Sequence, residues 1–294
     1  MTMRFLASAA VGLATWACVS AGIARSAADA RPIVILVHGR GQFGQDTAAL
    51  RRDWTADIDS ALSKAGVPAL PSSDVRLAWY ADALDPDSSY SCAPRVRMTG
   101  ANEELDIRDI ASGFLNFLAG AVGEDSREMR GFVGETMYVL DSQSRCAAEA
   151  RVGKVIRAAA AEHRPVVVVA YSLGSLVTYG YLLSADSLAN IRLVTVGSPL
   201  ALRPVREIIF GEQAGTLRVP KSVLSWENVY DASDVLAGPL SGQLPEGVLR
   251  DRPTHASSAE EAHAIARYFR DQATGEALRD AICAAAPQYG SCPR

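Results

Sequence analysis

Two rhythms of hydrophobic positions alternate along residues 31–294. Ile33, Val34, Ile35, Leu36 and Val37 form an unbroken apolar run, the pattern of a strand buried on both faces. Across residues 46–65, Leu50, Trp54, Ile58 and Leu62 recur every four positions, and Gly66 follows. That spacing lines one face of a helix, and glycine is its natural stop. A second strand is expected over residues 75–80. Val152, Val155, Ile156 and Ala159 mark another helical face ending before Pro165, and Val166 to Val169 is the clearest buried strand in the chain. Beyond it the pattern predicts a helix over 173–184, a strand over 191–196, a strand over 222–230 and a short strand over 248–253. Ala262, Ile265, Ala266 and Phe269 fit one more helix, and residues 277–286 a last one. Strands alternating with helices predict an α/β fold, a mostly parallel central sheet flanked by helices.

One stretch breaks the rhythm. Residues 82–147 open on Asp85-Pro86-Asp87-Ser88-Ser89 and carry Gly113, Gly120, Gly123, Gly131 and Gly134 among weakly periodic positions. The apolar run over 114–122 is too greasy for plain disorder, so a partly helical, cap-like insertion is expected; irregular padding is the plainer alternative. The first thirty residues stand apart as well. A positive start at Arg4 precedes an apolar run over 5–24, and Ala28-Asp29-Ala30 fits a cleavage site. This is the layout of a secretory signal peptide, which leaves 31–294 as a single domain exported to the periplasm or beyond. The other reading of that run is an uncleaved membrane anchor.

Composition narrows the function classes. The formal net charge is −4, and the basic residues are scattered, so the chain lacks the clustered basic surface that nucleic acid requires. Cys92, Cys146, Cys283 and Cys292 follow the leader. Four cysteines in an exported chain favour disulfides, with three pairings open. Cys92–Cys146 would clasp the insertion, and Cys283–Cys292 would tie the tail. No C-x-x-C pair or histidine cluster offers zinc spacing, and no metal is expected.

The chemistry concentrates in Val168-Val169-Ala170-Tyr171-Ser172-Leu173-Gly174, where a buried strand runs into a helix through a serine. A serine on so tight a turn has its hydroxyl pushed out above the sheet, and small residues beside it let backbone approach backbone. The usual pattern is G-x-S-x-G; here Ala170 takes the first place. Serine needs a base to remove its proton. On such a turn the partners follow in the order Ser, Asp or Glu, His, which sets aside His38 and His163 and leaves His255 and His263. His263, at the mouth of an amphipathic helix, fits a base better than His255, which follows the short strand. The acid should end a strand between them. Trp226-Glu227-Asn228-Val229-Tyr230-Asp231-Ala232-Ser233-Asp234 offers two aspartates; Asp234, deeper in the loop, is preferred to Asp231, although either could simply cap a turn. Finally, His38-Gly39-Arg40-Gly41-Gln42 follows the first strand. Its glycines would let the N–H of Arg40 join that of Leu173 in an oxyanion hole, with His38, Gly39 and Gly41 shaping the loop.

The H-G-x-G after the first strand, the A-x-S-x-G turn and the W-x-N-x-x-D-x-x-D strand end together resemble the α/β-hydrolase superfamily. They are nearest in style to bacterial lipases and serine esterases whose turn begins with alanine. The resemblance spans most of residues 33–272 and leaves the insertion and tail unmatched. It implies acyl hydrolysis without a cofactor, on a small-molecule ester or a lipid, with transient contact at a lipid surface in the latter case. Alternatives on the same fold are an acyltransferase, a thioester or amide hydrolase, and a catalytically inactive binding protein.

Overall fold

The computed structural model describes residues 31–85, 92, 138, 141–185, 188, 190–211, 217–244, 247–256, 258, 261–287 and 292. The leader expected over 1–30 lies outside them, as do residues 86–91, 93–137 and 139–140 of the expected insertion.

Six parallel strands form one sheet: β1 (Ile33–Val37), β2 (Val75–Ala78), β3 (Val166–Tyr171), β4 (Ile191–Val196), β5 (Val223–Asp231) and β6 (Leu249–Thr254), in the spatial order β2-β1-β3-β4-β5-β6. The flanking helices are α1 (Thr47–Lys64), α2 (Ser142–Ala160), α3 (Leu173–Leu183), α4 (Arg203–Phe210), α5 (Ile265–Arg270) and α6 (Gln272–Ala285). The expected parallel sheet covered by helices is therefore the observed architecture.

The period-2 alternation of side chains explains why two apolar layers are needed. Ile33, Ile35 and Val37 of β1, with Val166, Val168 and Ala170 of β3, pack against Val152 and Ile156 of α2 and Leu176 and Val177 of α3. Val34, Leu36, Val167 and Val169 face the other way, onto Trp54, Ile58 and Leu62 of α1 and Leu278 and Ile282 of α6. Burying side chains of this size contributes about 1.5–3 kcal/mol each. At Gly275 helix α6 lies hard against α1, because a Cβ there would collide with the Ala61 carbonyl.

Some boundaries differ from expectation for identifiable reasons. Helix α2 begins at Ser142, where the Asp141 carboxylate accepts from Gln143 N–H (3.2 Å) and Ser144 N–H (2.7 Å). That cap takes the last residues of the expected insertion into a regular helix. Helix α4 has no counterpart among the expected elements; it is eight residues long, with Pro204 in its first turn, where proline is tolerated. The final helix starts at Gln272, capped by Asp271, earlier than the apolar spacing suggests.

The strand order determines where a ligand can sit. The chain moves from β1 outward to β2, then back across β1 to β3 and onward in the opposite direction. The connections after β1 and β3 thus leave the carboxyl edge of the sheet in different directions, which makes the ends of these two strands a topological switch point. Ligands of open parallel sheets bind at such a switch point.

Candidate active site

The turn after β3 places Ser172 at that switch point. Its backbone has φ 51° and ψ −127°, a conformation costing a non-glycine residue on the order of 1–3 kcal/mol. Surrounding bonds hold it there. Ser172 N–H donates to the Val196 carbonyl (2.9 Å), while the Ser172 carbonyl accepts from Ser175 N–H (2.9 Å) and from Ser175 Oγ–H (2.6 Å). Ser175 Oγ also lies 2.7 Å from Ser198 Oγ, which accepts from Leu200 N–H at 3.2 Å. Because the Ser175 proton is committed to Ser172, Ser198 donates the hydroxyl–hydroxyl bond.

Small residues make this turn possible. A Cβ on Gly174 would stand 2.9 Å from the Val37 carbonyl oxygen and closer still to that of His38. A Cβ on Gly39 would stand 2.8 Å from the Tyr171 ring and 3.0 Å from Ser172 Cβ. The loop after β1 therefore lies directly against the serine turn. Arg40 follows Gly39 on this loop and its carbonyl accepts from the Gln42 side chain (2.9 Å); Gly41 supplies the positive φ, 71°, that bends the chain there. Leu173 N–H belongs to the first turn of α3, where helix N–H groups have no acceptor within the helix.

His38 anchors the same loop from beneath. It is fully buried, its ring stacks on Tyr80 at 4.0 Å, and its Nε2 accepts from Tyr80 N–H at 3.1 Å. An accepting Nε2 leaves Nδ1 as the donor, and the Gly39 carbonyl is 2.7 Å away. Tyr80 Oη–H donates to the His38 carbonyl (2.7 Å). Burial pushes the His38 pKa down to about 4, against a smaller opposing effect of the Gly39 hydrogen bond, so the ring is neutral near pH 7.

A three-residue chain runs from the serine. Ser172 Oγ is 2.8 Å from His263 Nε2, and His263 Nδ1 is 2.7 Å from Asp234 Oδ2. A carboxylate only accepts, so Nδ1 carries a proton toward Asp234, and in that neutral tautomer Nε2 is the acceptor facing the serine hydroxyl. The Asp234 side chain is wholly buried whereas that of His263 is 21% exposed. Burial alone would raise the Asp234 pKa, but it is outweighed by the bond and charge of His263, by Leu236 N–H (3.0 Å) and by Tyr268 Oη (2.9 Å), which hold the carboxyl below its ordinary value.

The alternatives are placed elsewhere. His255 is exposed just past β6 and takes no part in this chain. Asp231 is buried, accepts from Ser233 N–H (2.8 Å) and pairs with Arg267 at 3.3 Å. It caps the turn that carries Asp234.

Several supporting residues had no sequence signal. Tyr171 Oη–H donates to the His263 carbonyl. Arg267 donates to the carbonyls of Glu261 (3.1 Å) and Ala262 (2.8 Å) and to Thr254 Oγ1 (2.7 Å), fixing the loop that bears His263. Trp226 and Asn228, conspicuous in sequence, act further out. Trp226 Nε1–H donates to Thr195 Oγ1, which donates to Asn228 Oδ1; Asn228 Nδ2–H in turn donates to the Gly238 carbonyl and to Asp251. Asp251 accepts Leu240 and Ser241 N–H, so this network ties down the far end of the Asp234 loop.

Both cysteine pairings favoured from sequence are present, Cys92–Cys146 and Cys283–Cys292. Among the described residues no group of three or more His, Cys, Asp and Glu side chains could hold a metal ion, and no helix is long and apolar enough to cross a membrane. Compared with models of known families and with curated proteins, the chain matches none.

Proposed function

We propose that the protein is a serine hydrolase that cleaves carboxylic esters, as an esterase or lipase, with Ser172 as nucleophile. The observation that carries this reading is the relay Ser172 Oγ–His263 Nε2 at 2.8 Å and His263 Nδ1–Asp234 Oδ2 at 2.7 Å, mounted on a strained turn at the switch point of a parallel sheet. An ordinary helix-capping serine needs neither a histidine partner nor a costly backbone. A nucleophile needs both, because its hydroxyl must be deprotonated and must stand clear of the sheet.

In this mechanism Ser172 Oγ attacks the ester carbonyl carbon as its proton passes to His263 Nε2. Asp234 steadies the resulting imidazolium. The oxyanion accepts hydrogen bonds from Arg40 and Leu173 N–H; loss of one such donor typically costs about 2.7–4 kcal/mol. The carbon–oxygen bond to the leaving alcohol then breaks, and His263 returns the proton to that alcohol. Water then attacks the acyl carbon as its proton passes to His263; the bond from that carbon to Ser172 Oγ breaks, His263 returns the proton to Ser172, and the acid is released. The paired cysteines fit an exported protein, which accords with the leader-like residues 1–30.

Hydrolysis of p-nitrophenyl esters from short to long acyl chains, by wild type and Ser172→Ala, tests the reading. Wild-type turnover that is lost by at least about a thousandfold in the variant is expected, and the chain-length profile separates esterase from lipase. Equal turnover by both folded proteins would remove Ser172 from the mechanism.

A further inference from the structure

Asp234 Oδ2 receives two donors, His263 Nδ1–H at 2.7 Å and Tyr268 Oη–H at 2.9 Å. The direction of the second bond is fixed. Tyr268 Oη accepts from Asp231 N–H (2.9 Å), so its single proton goes to Asp234. The ring cannot swing away, since Tyr268 is fully buried in α5 and the Arg267 guanidinium lies 4.3 Å over its face. We propose that Tyr268 is a positioning residue: its hydroxyl aligns the Asp234 carboxylate with His263 and, by sharing Oδ2, sets the pH at which His263 takes up a proton. The inference rests on the reading of the Ser172–His263–Asp234 relay as catalytic.

The physical reason is competition for one oxygen. A donor to a carboxylate oxygen draws on its negative charge and leaves less to stabilise a cation on the neighbouring donor. Other groups around the pair leave this competition in place. Tyr171 reaches the backbone carbonyl of His263 and not its ring nitrogens, although the two rings lie 5.4 Å apart. Asp231 is paired with Arg267 at 3.3 Å, which offsets both charges. Leu236 N–H binds the other carboxylate oxygen, Oδ1, and Ser172 binds the far ring nitrogen. Burial and the adjacent Asp234 both push the Tyr268 hydroxyl well above the ordinary phenol range, which keeps it protonated as a donor throughout the working pH range.

The test is an NMR titration of the His263 ring in wild type and Tyr268→Phe, with ester kinetics alongside. Losing the hydroxyl should raise the His263 titration midpoint by on the order of 0.5–1 pH unit, a three- to tenfold gain in proton affinity. It should also lower kcat by up to about tenfold with KM unchanged, because the carboxylate is freed to rotate. In an Asp234→Asn background the same change should leave the midpoint where it is, since the effect travels through Asp234. Should Tyr268→Phe fail to fold, 3-fluorotyrosine at position 268, a stronger donor, should move the midpoint downward. An unchanged or opposite midpoint shift in either folded variant overturns the proposal. The titration needs no turnover, so persistence of hydrolysis in Ser172→Ala would refute the catalytic reading while still leaving the Tyr268–Asp234 coupling measured.

Discussion

Asp234 and Asp231 stand three positions apart in one loop, and their neighbours divide the work between them. Asp231 spends its carboxylate on Ser233 N–H and Arg267, whereas Asp234 meets His263, Leu236 N–H and Tyr268. Asp234→Asn would keep the shape but present an amide to the ring, favouring the tautomer that donates toward Ser172. On the mechanism proposed, kcat should fall by about 10^4-fold, while Asp231→Asn should lower thermal stability with much less effect on kcat. Steady-state kinetics on both variants decides the assignment; a larger loss of kcat in Asp231→Asn would reverse it. Sequence alone narrows the acid to this pair and the base to two histidines, because loop position is legible and side-chain direction is not. Tyr268 escapes notice for a related reason. At its place on α5 a buried tyrosine reads as core, and only the three-dimensional contact of its hydroxyl with Asp234 distinguishes it.

At the scale of elements, the β3–α3 unit is legible because several local signals agree: a run of four valines, a serine with Ala170 and Gly174 two positions to either side, and an apolar helix after it. Helix α4 is not, since Arg203-Pro204 reads as a chain break and its eight residues are too few for periodicity to speak. The β3–α3 turn also makes a sharp prediction. With the Val37 carbonyl 2.9 Å from the Cβ position of Gly174, and that of His38 closer, Gly174→Ala must push α3 away from the loop after β1. Overpacking of this kind costs about 1–3 kcal/mol. The same shift moves Leu173 N–H relative to Arg40, so ester turnover should fall by more than the loss of folded protein accounts for. Comparing the denaturation midpoint with kcat/KM measures both; an alanine variant as stable and as active as wild type would mean the close approach does not exist.

For the whole molecule, His38 links stability to pH. Its pKa falls from an ordinary 6.5 to about 4 on folding, so below pH 6.5 the unfolded chain binds a proton that the folded chain does not. Stability from this residue is intact above pH 6.5, declines as pH falls toward 4, and is lost by about 3 kcal/mol once both states are protonated. Asp234 adds to the acid side: its carboxyl is held below its ordinary value, so its contribution is present above about pH 4 and disappears below. Urea unfolding at pH 7 and pH 4.5 should show a smaller pH-dependent loss in His38→Gln than in wild type, and equal losses would deny the buried neutral ring. The paired cysteines add covalent ties at the insertion and at the tail. His38, through Gly39, and Asp234, through His263, hold the switch point at the carboxyl ends of β1 and β3 in a fixed geometry around a single hydroxyl. The most direct test is therefore to treat the folded protein with a fluorophosphonate and locate the adduct by mass spectrometry. A single adduct on the peptide containing Ser172, absent from Ser172→Ala and strongly reduced in His263→Ala, is the predicted result. A folded wild type that takes no label, or takes it at another residue, would contradict Ser172 as the activated nucleophile.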